Sequence, residues 1–137
     1  MQGELLLQLK NHFKGTKPYI LAAKIKNNIK KNKTPHEKVI SLKPEGHCRG
    51  NALLSYIIDA FLLKPGQPIP LSHTNRWTSL QMAKTFLDLG FCVDVISFTN
   101  RTFVPQKDYA FFVDVRHNLE RLSPLLNEDY IKIMLID

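Results

Sequence analysis

The side chains best suited to chemistry in this chain are His73, Thr74, Asn75 and Arg76, in a polar run that begins at Ser72 between a Pro/Gly-rich loop and a helix. The loop is Lys64–Pro70, and Gly90 marks where the helix should stop. A helix N-terminus carries unpaired N–H groups and a partial positive charge, which suit hydroxyl-rich or anionic ligands. Histidine, with an ordinary pKa of about 6.5, would add a hydrogen-bonding or proton-transfer group at position 73. The plainer alternative is that Thr74 or Asn75 caps the helix while Trp77, Leu80, Ala83 and Leu87 bury its inner face. Both readings stand on these residues alone, and no residue is singled out as catalytic.

Other candidates are weaker. Asp59 and Asp114 lie at or near strand ends, where carboxylates hold ligand hydroxyls or pair with Arg116 or Arg49; the ion pair is the expected use. His117 reads as a loop residue. Glu45, His47 and Cys48 crowd one loop without a second group at metal-ligand spacing, so no metal site is expected. Neither Gly-x-Gly-x-x-Gly nor the phosphate-loop pattern occurs, so no nucleotide cofactor is expected. The two cysteines, Cys48 and Cys92, form no Cys-x-x-Cys motif and no framework, and they fit a reducing cytosol.

The elements that would position these groups alternate. Val39–Leu42 reads as a short strand and Pro44–Asn51 as a polar loop. Leu53–Ile58 is an apolar run of the kind buried on both faces of a sheet. The helix is expected over Asn75–Leu89, and a second buried strand over Phe91–Phe98, broken only by Asp94. After a loop, Asn100–Lys107, come a third strand over Tyr109–Val115, a short helix over Asn118–Leu126 made irregular by Pro124, and a fourth strand over Tyr130–Ile136. Strands alternating with helices predict an α/β fold with a Rossmann-like parallel sheet of four to five strands. The second and third strands lack a helix between them, so a loop of about ten residues must make that connection. The fourth strand should leave apolar surface and an open edge, which predicts a piece of a longer protein or a truncated reading frame.

Charge divides the chain. Residues 1–43 hold ten Lys and two Glu, a balance of +8, whereas residues 44–137 hold nine Lys/Arg and ten Asp/Glu, a balance of −1. This predicts a basic amphipathic helical leader over residues 1–38 and an α/β body over 39–137. In the leader, Leu21, Ala22, Ile25 and Ile29 form an apolar stripe beside Lys24, Lys26, Lys30 and Lys31. Such a helix packs by its stripe and keeps its lysines in water, or it lies on anionic lipid. Aromatic residues do not interleave Lys24, Lys26, Lys30 and Lys31, which disfavours nucleic acid. With no apolar run near the ~20 residues of a membrane span and no signal-peptide pattern, the expected location is cytoplasmic, with peripheral contact at the inner membrane face left open.

Several segments together resemble a known family: LLSYIIDAFLL, SHTNRW, LDLGFCVDVISF, FVPQKDYAFFVDVRHNLERL and YIKIMLID. They are similar to glycosyltransferases of the GT-B fold often called group 1, over roughly residues 50–137, which correspond to the beginning of the N-terminal Rossmann-like domain. The resemblance implies transfer of a sugar from a nucleotide-sugar donor to a sugar or lipid-linked acceptor, without a metal, in cell-surface polysaccharide or lipopolysaccharide assembly. It implies that this domain shapes the acceptor side of a cleft, faced by His73, Thr74, Asn75 and Arg76 and covered by Lys64–Pro70. Two departures bear on that site: Thr78 stands where an acidic residue tends to follow the Trp, and Leu135 where a His tends to stand. The donor-binding domain is not in this chain, so no turnover is expected from it alone. The alternative is a non-catalytic binding or interaction module of flavodoxin-like shape.

Overall fold

The computed structural model describes residues 33–70, 72, 74–115 and 117–136. Five strands form one mixed sheet: β1 (Val39–Leu42), β2 (Asn51–Tyr56), β3 (Cys92–Ser97), β4 (Phe111–Asp114) and β5 (Ile131–Met134). Two helices, α1 (Thr74–Asp88) and α2 (Asn118–Leu122), and three short 310 turns complete it. The strand order is β1-β3-β2-β4-β5. The last four strands run parallel, as expected, but β1 is antiparallel to β3, with Val39 opposite Ile96 and Leu42 opposite Val93. The purely parallel expectation is corrected there. The Pro44–Asn51 loop reverses the chain, and an antiparallel edge needs no crossover helix. Of the leader expected over residues 1–38, residues 1–32, with Lys24, Lys26, Lys30 and Lys31, lie outside the described residues, and the remainder includes the 310 turn Pro35–Glu37.

The continuous apolar runs of β2 and β3 arise because both faces of the sheet are covered. On one face Ala52, Leu54 and Tyr56 pack with Ile40, Val93, Val95 and Val113 beneath Ala83, Phe86 and Leu87 of α1. On the other, Leu53, Ile96 and Phe112 pack with Tyr109 and with Leu122 of α2. The β3–β4 connection is the helix-free segment the sequence called for. It covers this second face by inserting Phe103 and Tyr109, so the crossover still contributes to a core.

Helix α1 ends as Gly90 requires. Phe91 N–H donates to Phe86 O and Gly90 N–H to Leu87 O, each at 2.9 Å, the paired bonds of a Schellman cap. Gly90 has φ of +88°, and a Cβ there would stand 2.9 Å from Arg49 Cδ. Gly90→Ala is therefore expected to cost about 1–2 kcal/mol, read as a lower urea midpoint at unchanged slope.

Two further corrections concern pairings. Cys48 and Cys92, which offer no framework in the sequence, are paired as a disulfide with Cα atoms 5.7 Å apart. Asp59 does not pair with Arg49, and Arg116 lies outside the described residues. Asp59 lies 3.7 Å from Arg76, while Arg49 donates to Leu89 O at 3.1 Å.

Candidate functional site

After β2 the chain steps to β3 on one side of it and then crosses back to β4 on the other. Open α/β sheets bind ligands outside the carboxyl ends of the strands at such a reversal. The groups gathered at that end of this sheet come from five segments: the 310 turn before β1, the 310 turn after β2, the start of α1, the residues after β3, and the β4–α2 junction.

Of the run picked out in the sequence, Thr74, Asn75 and Arg76 form the first turn of α1, and His73 lies outside the described residues. Thr74 and Asn75 are thus helical, so neither occupies the cap position. Arg76 is the group the fold engages most. Its guanidinium donates to Ser72 Oγ at 3.3 Å and faces the Asp59 carboxylate. That pair is partly exposed, so its worth to stability is small, and its donors remain within reach of solvent. The helix is seated by Ser79, whose buried hydroxyl donates to Ile57 O at 2.6 Å just beyond β2. Leu80, Ala83 and Leu87 are buried as expected, whereas Trp77 is half-buried and its Nε1 has no partner among the described residues.

At the same end of the sheet, between β2, β3 and α2, lies a buried polar network. Asn118, fully buried, donates from Nδ2 to Ser55 Oγ at 3.0 Å, Phe98 O at 3.3 Å and Ser97 O at 3.4 Å, tying the ends of β2 and β3 to α2. Its Oδ1 accepts from Arg121, which also donates to Phe103 O at 2.8 Å and Asn100 O at 3.2 Å. Burial, with Arg101 adding to it, lowers the Arg121 guanidinium from its ordinary value. Asp114 Oδ2 accepts the Asn118 and Leu119 backbone N–H groups at 2.9 and 2.7 Å, so this carboxylate caps α2. His117 is exposed beside it, its ring stacked on Phe98 with centroids 6.4 Å apart.

One contributor had no local signal. His36 sits in the 310 turn before β1, and the antiparallel pairing carries it to the end of β3. There its Nδ1 lies 3.4 Å from both Ser97 Oγ and Thr99 Oγ1, which are 2.8 Å from each other. The turn is held by Glu37, whose carboxylate accepts from Thr34 N–H at 3.0 Å and Thr34 Oγ1 at 3.1 Å. Sequence alone places His36 in the leader, 61 residues from Ser97.

Among the described residues the accessible part of this end offers the Arg76 guanidinium, the Asp59 carboxylate, the imidazoles of His36 and His117 and several hydroxyls, a set fitted to hydrogen-bonding a polyhydroxylated or anionic ligand. Among the described residues no group of three or more His, Cys, Asp and Glu side chains is placed to hold a metal ion. No described helix is long and apolar enough to cross a membrane. No protein-family model, no curated protein and no solved structure significantly matches this chain.

Proposed function

We propose that this chain is the acceptor-side, N-terminal Rossmann-like part of a GT-B glycosyltransferase, and that its polar crevice binds a sugar or lipid-linked acceptor. The observation that carries the reading is the set of four parallel strands whose carboxyl ends open on Asp59, Ser72 and Arg76. With the segment resemblance, it favours a carbohydrate ligand over a nucleotide, for which no phosphate-cradling glycine loop exists. A second domain must bring the nucleotide-sugar donor, because one wall of a cleft cannot orient both reactants. In this reading the chain alone transfers no sugar, and its lysine-rich leader contacts anionic lipid at the inner membrane face.

The test is an amide-resolved NMR titration of the full chain with methyl glycosides and glycosyl pyrophosphates, and separately with UDP-hexoses. Glycosides or glycosyl pyrophosphates are expected to shift Thr74, Asn75, Arg76 and Asp59, with binding weakened about tenfold by Arg76→Ala. UDP-hexoses are expected to leave those amides unmoved. Binding of UDP-hexose at this end, or of no glycan at all, would sink the reading.

One observation favours the alternative, a non-catalytic flavodoxin-like interaction module. Ile131, Met134 and Ile136 are 57%, 55% and 90% exposed on and beyond β5, which pairs only with β4 among the described residues. That module requires a discrete oligomer in sedimentation equilibrium, with the amides of β5 protected from exchange.

A further inference from the structure

The geometry points to Cys48 and Cys92 as a reversible thiol–disulfide pair that sets the stability of the sheet from its amino-terminal end and leaves the ligand-facing end unchanged. The pair is the full cysteine complement of the chain, so an intramolecular bond has one possible connectivity.

The two segments that carry the sulfurs are strapped together without them. Arg49 N–H donates to Gly90 O at 2.8 Å, and Cys92 N–H donates to Gly50 O at 2.9 Å. The Arg49 guanidinium donates to Leu89 O at 3.1 Å and lies 5.3 Å over the Phe91 ring. These ties hold the Cα atoms 5.7 Å apart, within the span of a disulfide, whatever the state of the sulfurs. The reduced form is also accommodated, since Cys48 Sγ lies 3.0 Å from Gly50 O, which a thiol can use as acceptor. Neither cysteine is fully buried, so small thiol reagents reach them. Closing and opening the bond therefore requires no rearrangement of the fold.

The energetic consequence lies mainly in the unfolded chain. The bond links residues 44 apart, enclosing β2, the 310 turn after it and α1, so it restricts a long loop in the denatured ensemble. The spatial consequence follows from strand direction. Both sulfurs lie at the starting ends of β2 and β3, a six-residue strand, about 20 Å from the carboxyl ends that hold Ser97 and Asn118.

Oxidation by a low-molecular-weight disulfide balances as two exchanges. One cysteine thiolate attacks glutathione disulfide and expels a glutathione thiolate. The second cysteine thiolate then attacks the protein-bound sulfur of the mixed disulfide and expels the other. The pair loses two electrons and two protons, and two glutathione thiols form.

The test equilibrates the full chain in glutathione buffers of stepped ratio, traps free thiols with N-ethylmaleimide, and reads intact mass, melting temperature and amide spectra. Both adducts are expected to disappear together, in a monomer. The oxidised form is expected to melt roughly 10 °C above the reduced form. Amide shifts should be confined to residues 46–51 and 89–93, with Ser97, Asn118 and Arg76 unmoved. Cys48→Ser and Cys92→Ser should each abolish the response to oxidant, and the reduced wild-type chain serves as the control if a variant does not fold. Persistent glutathionylation, disulfide-linked dimers, equal melting temperatures, or shifts reaching Ser97 and Asn118 would each overturn the proposal.

Discussion

Asp94→Ala is expected to cost about 3–4 kcal/mol, because it removes the acceptor at the centre of a buried polar cluster. Asp94 is 4% exposed in β3, on the face away from α1. Ser41 on β1 donates to it at 2.6 Å, Tyr109 at 2.6 Å, and Lys107 at 3.0 Å to the same oxygen as Tyr109. Without the carboxylate, Lys107 regains water, since its side chain is 41% exposed. The Tyr109 hydroxyl cannot, because its residue is 1% exposed, and it is left as an orphan donor. Asp94→Asn keeps an acceptor while losing the charge, and is expected to cost about 2 kcal/mol. The cluster also makes a signed pH prediction. Burial first, then the charge and hydrogen bond of Asp94, raise the Tyr109 pKa above its ordinary value. Above about pH 10 the unfolded chain releases the phenolic proton while the folded chain keeps it, so stability is full below that value and falls as pH rises. Urea unfolding from pH 8 to 11 should show this decline in the wild type and lose Tyr109's share of it in Tyr109→Phe. A wild-type midpoint flat across that range would contradict the cluster's role.

Asp94 also marks how far the sequence could be read. Periodicity located both described helices and all five strands, most plainly β2, β3 and β4, whose apolar runs are covered on both faces. An acidic residue inside one of those runs registered as an interruption. Its partners are 53, 13 and 15 residues away, and only the fold brings Ser41, Lys107 and Tyr109 to it. The direction of β1 was equally hidden, since a four-residue strand buries alternate positions whether it runs parallel or antiparallel. At the carboxyl end of the sheet, Thr74, Asn75 and Arg76 were legible because the loop-to-helix transition is local. His36 and Asn118 were not, since each acquires its position through contacts more than 60 residues away, at Ser97 and Ser55. The disulfide was missed for the same reason: Cys48 and Cys92 carry no local motif, and their juxtaposition follows from Gly50 meeting the start of β3.

Asp114→Ala is expected to cost about 3 kcal/mol and to loosen the carboxyl end of the sheet as well as the core. The carboxylate ends β4 with no solvent exposure, and its Oδ2 satisfies two backbone donors of the first turn of α2. A cap of this kind is worth up to about 2 kcal/mol, and charged acceptors lie at the upper end of the hydrogen-bond range. At five residues α2 is too short to persist on propensity alone. Losing the cap should therefore free Asn118, and with it the ties to Ser55, Ser97 and Phe98 that close the ends of β2 and β3. Oδ1 has no partner among the described residues, so part of the burial cost of this charge is unrecovered in the native state. Asp114→Asn keeps one carbonyl for the two N–H groups and removes the buried charge, so it should cost no more than about half as much as the alanine variant. Hydrogen exchange distinguishes this local role from general core damage. Asp114→Ala should lose protection first at Asn118–Leu122 and Ser97–Asn100, while α1 keeps protection close to wild type. Uniform loss across α1 and β2 would mean that Asp114 supports the whole sheet and not its carboxyl end in particular.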